Sequence, residues 1–155
     1  MIEAMIRGAR PGDVGAIAEL YERSFATLSF LPTLHTPEEH RAWFEQVVAQ
    51  GEVWVWQEGG AILGFIALGD ATVDYLYVEP KMTSRAIGSA LLDHAKTRRP
   101  DGFTLWTFQQ NEGARRFYER HGLRVIRLTD GDRNEERTPD ALYAWRADSM
   151  ADLRV

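Results

Sequence analysis

The chain has 155 residues, enough for one domain with a core of its own, and its 45% hydrophobic and 26% charged residues match an ordinary globular protein. Eighteen basic against 23 acidic side chains give a formal charge of −5, a sign of field that disfavours nucleic acid or an anionic membrane as partner. The absence of cysteine excludes disulfides, thiolate metal sites and a cysteine nucleophile.

In chain order, residues 1–9 read as a strand that carries no long apolar run, and therefore no signal peptide. Pro11, Gly12 and Asp13 break it and open a helix to about residue 25, with Ile17, Leu20, Tyr21 and Ser24 at helical spacing. Residues 27–35, with Pro32 among them, read as a loop. Thr36, Pro37, Glu38 and Glu39 form a capping box with proline at the first helical position, and that helix runs to about residue 50 before Gly51. The period then changes to two. In 52–57, Val53 and Val55 take one face and Trp54 and Trp56 the other, as expected for sheet packing. Gly59-Gly60 turns the chain into a second strand over 61–68, and 72–78 is a third. A loop over 79–84 leads into a helix ending near residue 99, followed by a strand over 103–108. Residues 111–121 form a helix with Gly122 just past its end. The segments 123–128 and 141–146 close an antiparallel pair across the polar loop 129–140. No stretch approaches the ~20 apolar residues of a membrane span. The expectation is a single soluble, cytoplasmic domain over 1–155, with a mixed α/β sheet and helices on both faces.

A strand, a short loop and a helix start can bind an anion, because the first N–H groups of a helix are unpaired and its dipole favours negative charge. Residues 78–92 have that layout, with small side chains at Ser84, Ala86, Gly88, Ser89 and Ala90. The segment Asn111-Glu112-Gly113-Ala114 through Phe117-Tyr118-Glu119 to Gly122 resembles the strand-following helix of the GNAT acetyltransferase superfamily. With the Val78-Glu79-Pro80 turn before the loop and Ile87-Gly88 and Leu91-Leu92 after it, the resemblance covers about residues 73–123. It implies a GNAT-like central mixed, mostly antiparallel sheet of about seven strands, with a splayed parallel pair formed by 72–78 and 103–108.

The resemblance also implies the chemistry. Acetyl-CoA would be the co-substrate, without a metal, and a small-molecule or peptide amine the acceptor, attacked directly in a ternary complex. The second reading is a CoA-binding or regulatory GNAT-fold protein without turnover. Neither nucleic acid nor a membrane would be a partner, and pairing into a homodimer, as in many relatives, would be compatible. The pantetheine arm would lie along Leu76, Tyr77 and Val78, and the pyrophosphate over Thr83, Ser84, Arg85, Ala86, Ile87, Gly88 and Ser89. Within the family that loop reads Gln or Arg, two of any kind, Gly, any, then Gly or Ala; here only Gly88 fits. Ala86 puts a methyl where the family keeps bare backbone, so it is expected to hold a phosphate off the amides or to oppose a positive φ. Tyr118 is the expected general acid, since a neutral phenol can protonate a departing thiolate. Asn111 matches the family's asparagine, which approaches the CoA arm, and reads equally as a helix N-cap. Asp74 is the candidate base, because a carboxylate in an otherwise apolar strand would be costly unless it had a function. Glu135, Glu136 and Asp140 could collect a cationic acceptor. The histidines show no metal-binding spacing, and His94 is expected on a helix surface.

Overall fold

The computed structural model describes residues 3–82 and 86–146. Strand β1 is Ala4–Gly8; after a 3₁₀ turn at Pro11–Asp13 comes helix α1, Val14–Ala26, and then α2, Pro37–Gln50. The α2 start is the expected capping box: Thr36 Oγ1 accepts from Glu39 N–H (3.2 Å) and Glu39 Oε1 from Thr36 N–H (2.8 Å). Strands β2 (Glu52–Glu58) and β3 (Ala61–Leu68) form a hairpin, with Gly59 at φ 55° and Gly60 at φ 85°. Two left-handed residues in a two-residue turn suit glycine and match the twist of the strands. Then follow β4 (Val73–Val78), a 3₁₀ turn at Pro80–Met82, α3 (Ile87–Arg98), β5 (Phe103–Phe108), α4 (Glu112–Arg120), β6 (Arg124–Leu128) and β7 (Asp140–Trp145).

The central sheet is divided at its splayed pair. β1-β2-β3-β4 form one antiparallel ladder and β5-β7-β6 another. Between β4 and β5 there is one parallel bridge, Thr72 with Thr104, where Thr104 N–H donates to the Ala71 carbonyl at 3.0 Å. Beyond that point no further pairing joins the two among the described residues, so the parallel pair splays as expected.

Alternation along β2, β3 and β4 sorts the core into two halves. Val53, Val55, Phe65 and Ala67 pack with α1 and with Phe44 of α2, joined by Tyr75 and Tyr77. The opposite face carries Ile66, Leu68, Leu76 and Val78, with Trp54 and Trp56, against α3 and α4. Helix α3 comes close to the sheet at Gly64, where an added Cβ would lie 2.9 Å from Ile87 Cγ2 and 3.0 Å from Leu91 Cδ1. Glu52 ties the start of β2 to the end of α3 through Arg98 Nε (2.6 Å) and Arg99 (3.0 Å). His94 is not the surface histidine expected. Its ring lies 4.3 Å from that of Trp54, and its buried Nε2 has no hydrogen-bond partner among the described residues.

Candidate active site

The splay opens a cleft of about 730 Å³, within the range of ligand sites. Strands β4 and β5 form its sides, α3 and α4 contribute from one face, and Ser24, Thr27 and Leu28 at the end of α1 from the other.

Backbone parity decides which groups of β4 face it. Glu79 N–H donates to the Leu63 carbonyl at 2.8 Å, and the β3 register pairs Phe65 with Tyr77 and Ala67 with Tyr75. In an antiparallel ladder, hydrogen-bonded and non-bonded pairs alternate, so Tyr75 and Tyr77 spend their backbone groups on β3. Leu76 and Val78 turn theirs to the open edge. Of the three residues expected along a pantetheine arm, these two present backbone, while Tyr77 lines the cleft with its side chain. The Val78 carbonyl accepts from Ser24 Oγ (3.0 Å), and Arg23 pairs with Glu79 (2.7 Å), so the end of α1 fixes the end of β4.

Across the mouth lies the start of α3. Its first intrahelical bond runs from Ala90 N–H to the Ala86 carbonyl (2.9 Å), which leaves the N–H groups of Ile87, Gly88 and Ser89 without helical partners. Ala86, Gly88 and Ser89 line the cleft, while the Ile87 side chain turns into the core. Thr83, Ser84 and Arg85 lie outside the described residues. Ala86 adopts φ −78°, an ordinary value for an L-residue, so the expected opposition to a positive φ is absent. Gly88 matters for packing: a Cβ there would meet the Phe117 ring at 3.3 Å.

Tyr118 lines the cleft from α4 and is only 8% exposed. Burial pushes its phenol above the ordinary value of 10. Asn111 caps α4 through Oδ1, which accepts from Ala114 N–H (3.2 Å), and it also lines the cleft. Asp74 departs from expectation. β4 and β3 slip register at that point, and its exposed carboxylate accepts from Thr72 Oγ1 at 2.7 Å. It is not a buried, unpaired carboxylate; what stands is its place on the cleft lining near the Thr72–Thr104 apex.

Three arrangements had little or no sequence signal. His121 Nδ1 faces the Phe117 carbonyl (2.8 Å) and its Nε2 faces Ser89 Oγ (2.8 Å), joining α4 to the first turn of α3. His35 Nε2 lies 2.5 Å from Glu135 Oε1, linking the loop before α2 to the loop before β7. Burial raises the phenols of Tyr21, Tyr75 and Tyr77, with Glu136 adding to each. Asp140 has another role, accepting from Thr129 Oγ1 and from Asn134 Nδ2 (3.0 Å) to knit the loop before β7.

Comparison with known proteins places this geometry. The sequence model of the Acetyltransferase (GNAT) domain matches residues 49–124, the span that holds both motifs and both splayed strands. Residues 49–124 are thus similar to a GNAT domain. The peptidyl-lysine N-acetyltransferase YiaC of Escherichia coli K12 is 28% identical over 143 residues, covering 91% of this chain and 96% of YiaC. The apo form of YjaB from Escherichia coli superposes with a TM-score of 0.76 at 25% identity, over 94% of this chain and 99% of that one. YncA from Salmonella typhimurium, solved with its cofactor acetyl-CoA, gives a TM-score of 0.70 at 21% identity, over 92% and 93%. The GNAT fold accounts for the divided sheet as a designed opening, since two strands that stayed paired would leave no cleft. Among the described residues no group of three His, Asp or Glu could hold a metal, and no helix is long and apolar enough to cross a membrane.

Proposed function

We propose that the protein transfers an acetyl group from acetyl-CoA to a primary amine, by direct attack with both substrates bound. The observation that carries this reading is the open edge of β4: Leu76 and Val78 offer backbone groups to a cleft walled by the buried Tyr118. An amide-bearing pantetheine arm fits such an edge as an added strand would. The N–H groups of Ile87, Gly88 and Ser89, which have no partner within α3, fit its phosphates. When bound, the thioester supplies an activated acyl carbon.

The chain's own groups do the rest. A backbone N–H at Leu76 or Val78 donates to the acyl oxygen as it gathers charge. Tyr118 gives its phenolic proton to the departing sulfur. Asp74, on the cleft lining, draws in the ammonium and takes its proton through water. YiaC is a peptidyl-lysine N-acetyltransferase, which supports a lysine side chain as the acceptor here.

A thiol-release assay with acetyl-CoA against lysyl peptides, free amino acids, polyamines and aminoglycosides tests the proposal. Thiol release dependent on a lysyl peptide is expected. Acetyl-CoA binding without release to any amine would leave a GNAT-fold binding protein, the reading that the departures at Thr83 and Ala86 favour.

A further inference from the structure

A second concavity, about 990 Å³, lies between α2 and β5. It shares Val73, Asp74, Tyr75, Leu105 and Trp106 with the cleft, so the two spaces meet beside the Thr72–Thr104 apex. Its α2 side carries Trp43, 60% exposed, and its β5 side Trp106, 49% exposed. Large aromatic surface left in water is costly, and one such patch beside a reaction cleft calls for an occupant. Trp43 is also held in place, because its indole N–H donates to the Tyr75 hydroxyl at 2.6 Å. A fixed aromatic ring loses little entropy on binding, which makes it an effective anchor.

Charge selects the occupant. The exposed carboxylates of Asp70 and Asp74 line the groove. Arg99, the one cationic side chain of that lining among the described residues, is already engaged with Glu52 (3.0 Å) and with the Gly69 carbonyl (2.9 Å). A second copy of this chain, with net charge −5, would be repelled by that rim; a basic segment would be attracted.

We infer that the α2–β5 groove holds the polypeptide flanking the acceptor lysine, with an apolar neighbour against Trp43 and Trp106 and a basic neighbour at Asp70. This rests on the proposed acyl transfer to an amine and deepens it, making the substrate a basic, extended stretch of polypeptide rather than a free amine.

The test compares a six-residue, end-blocked peptide with leucine before and arginine after a central lysine against Nα-acetyl-lysine amide. Trp43→Ala should raise KM for the peptide about tenfold, the usual scale for a truncated aromatic anchor. Its KM for the single residue should stay within about twofold. Asp70→Asn should weaken the peptide alone, more at low salt, and Trp43→Phe should restore part of the loss. A parallel titration uses the same peptide with norleucine in place of lysine, added to the CoA-loaded protein in a calorimeter. Trp43→Ala should weaken that binding about tenfold as well. Equal effects on both acceptors, no effect on either, or a dimer that Trp43→Ala dissociates would overturn the groove. If no acceptor releases thiol the proposed activity fails, and the norleucine titration still decides the groove by itself.

Discussion

Tyr118 combines two properties that a proton donor to sulfur needs: it lines the cleft, and burial keeps its phenol protonated well past neutral pH. The same desolvation raises the proton affinity of a thiolate leaving in that space, so the transfer is not opposed by burial alone. Tyr118→Phe should lower kcat by about 10²-fold and leave acetyl-CoA affinity nearly unchanged, since the ring remains. Single-turnover rates limited by chemistry check this, and unchanged turnover would remove Tyr118 from the mechanism. No descending limb from Tyr118 should appear below pH 10, because its shift is upward. Asp74 lies on the cleft lining, exposed to water. If it removes the acceptor's proton, Asp74→Asn should lower kcat/KM for lysine about tenfold at pH 7. The loss should shrink by pH 9.5 as the amine, with a pKa of about 10.4, supplies its own free base. A loss equal at both pH values would restrict Asp74 to attracting the cation. The motif in the sequence singled out Tyr118, which the structure puts on the cleft lining, whereas Asp74 was selected on a false premise: a strand reads as apolar whether or not a register slip turns one residue to water.

At the scale of elements, periodicity located all seven strands and four helices of the described chain, because each has one face in a core and the period survives in the residue pattern. The divided sheet was expected only through family resemblance. Nothing in β4 or β5 considered separately says that they part after Thr72–Thr104, since strand pairing is a long-range property. The start of α3 shows the opposite failure, where a motif comparison suggested strain that the backbone does not have. Ala86 stands at the N-cap with φ −78°, and glycine is at least as good a cap as alanine. Ala86→Gly should therefore leave Tm within about 1 °C, and any gain in acetyl-CoA affinity must come from removing the methyl alone, about threefold at most. Thermal melts and calorimetric titration of both proteins check the two parts. A tenfold gain would show that the methyl does hold the phosphates off the amides.

Across the whole molecule, the titrating groups set limits to stability on both sides of neutrality. Burial raises Tyr21, Tyr77 and Tyr118 above 10. Their contribution is complete below pH 10 and is lost as pH rises through the raised values. On the acid side, hydrogen bonding to Arg98, then to Trp54 and Arg99, lowers Glu52 from 4.5 to about 2. Arg7 lowers Asp13, and burial lowers His94. Each of these favours folding above its unfolded value, and that part is lost as pH falls through the folded one. For Glu52 the window is pH 4.5 down to about 2. Glu52 joins β2 to the end of α3, and its partner Arg99 also holds the Gly69 carbonyl beside Thr72 and the apex of the splay. Its loss should thus reach beyond one ion pair. Glu52→Gln should lower Tm at pH 7 by about 2–4 °C, the equivalent of about 1 kcal/mol in a chain of this size. The gap to the parent should close as pH approaches 2.5, because the parent's own carboxylate is then becoming protonated. Melting curves of both proteins from pH 7 to pH 2.5 decide it. A gap that stayed constant would mean that Glu52 stabilises through packing and neutral hydrogen bonds instead of charge.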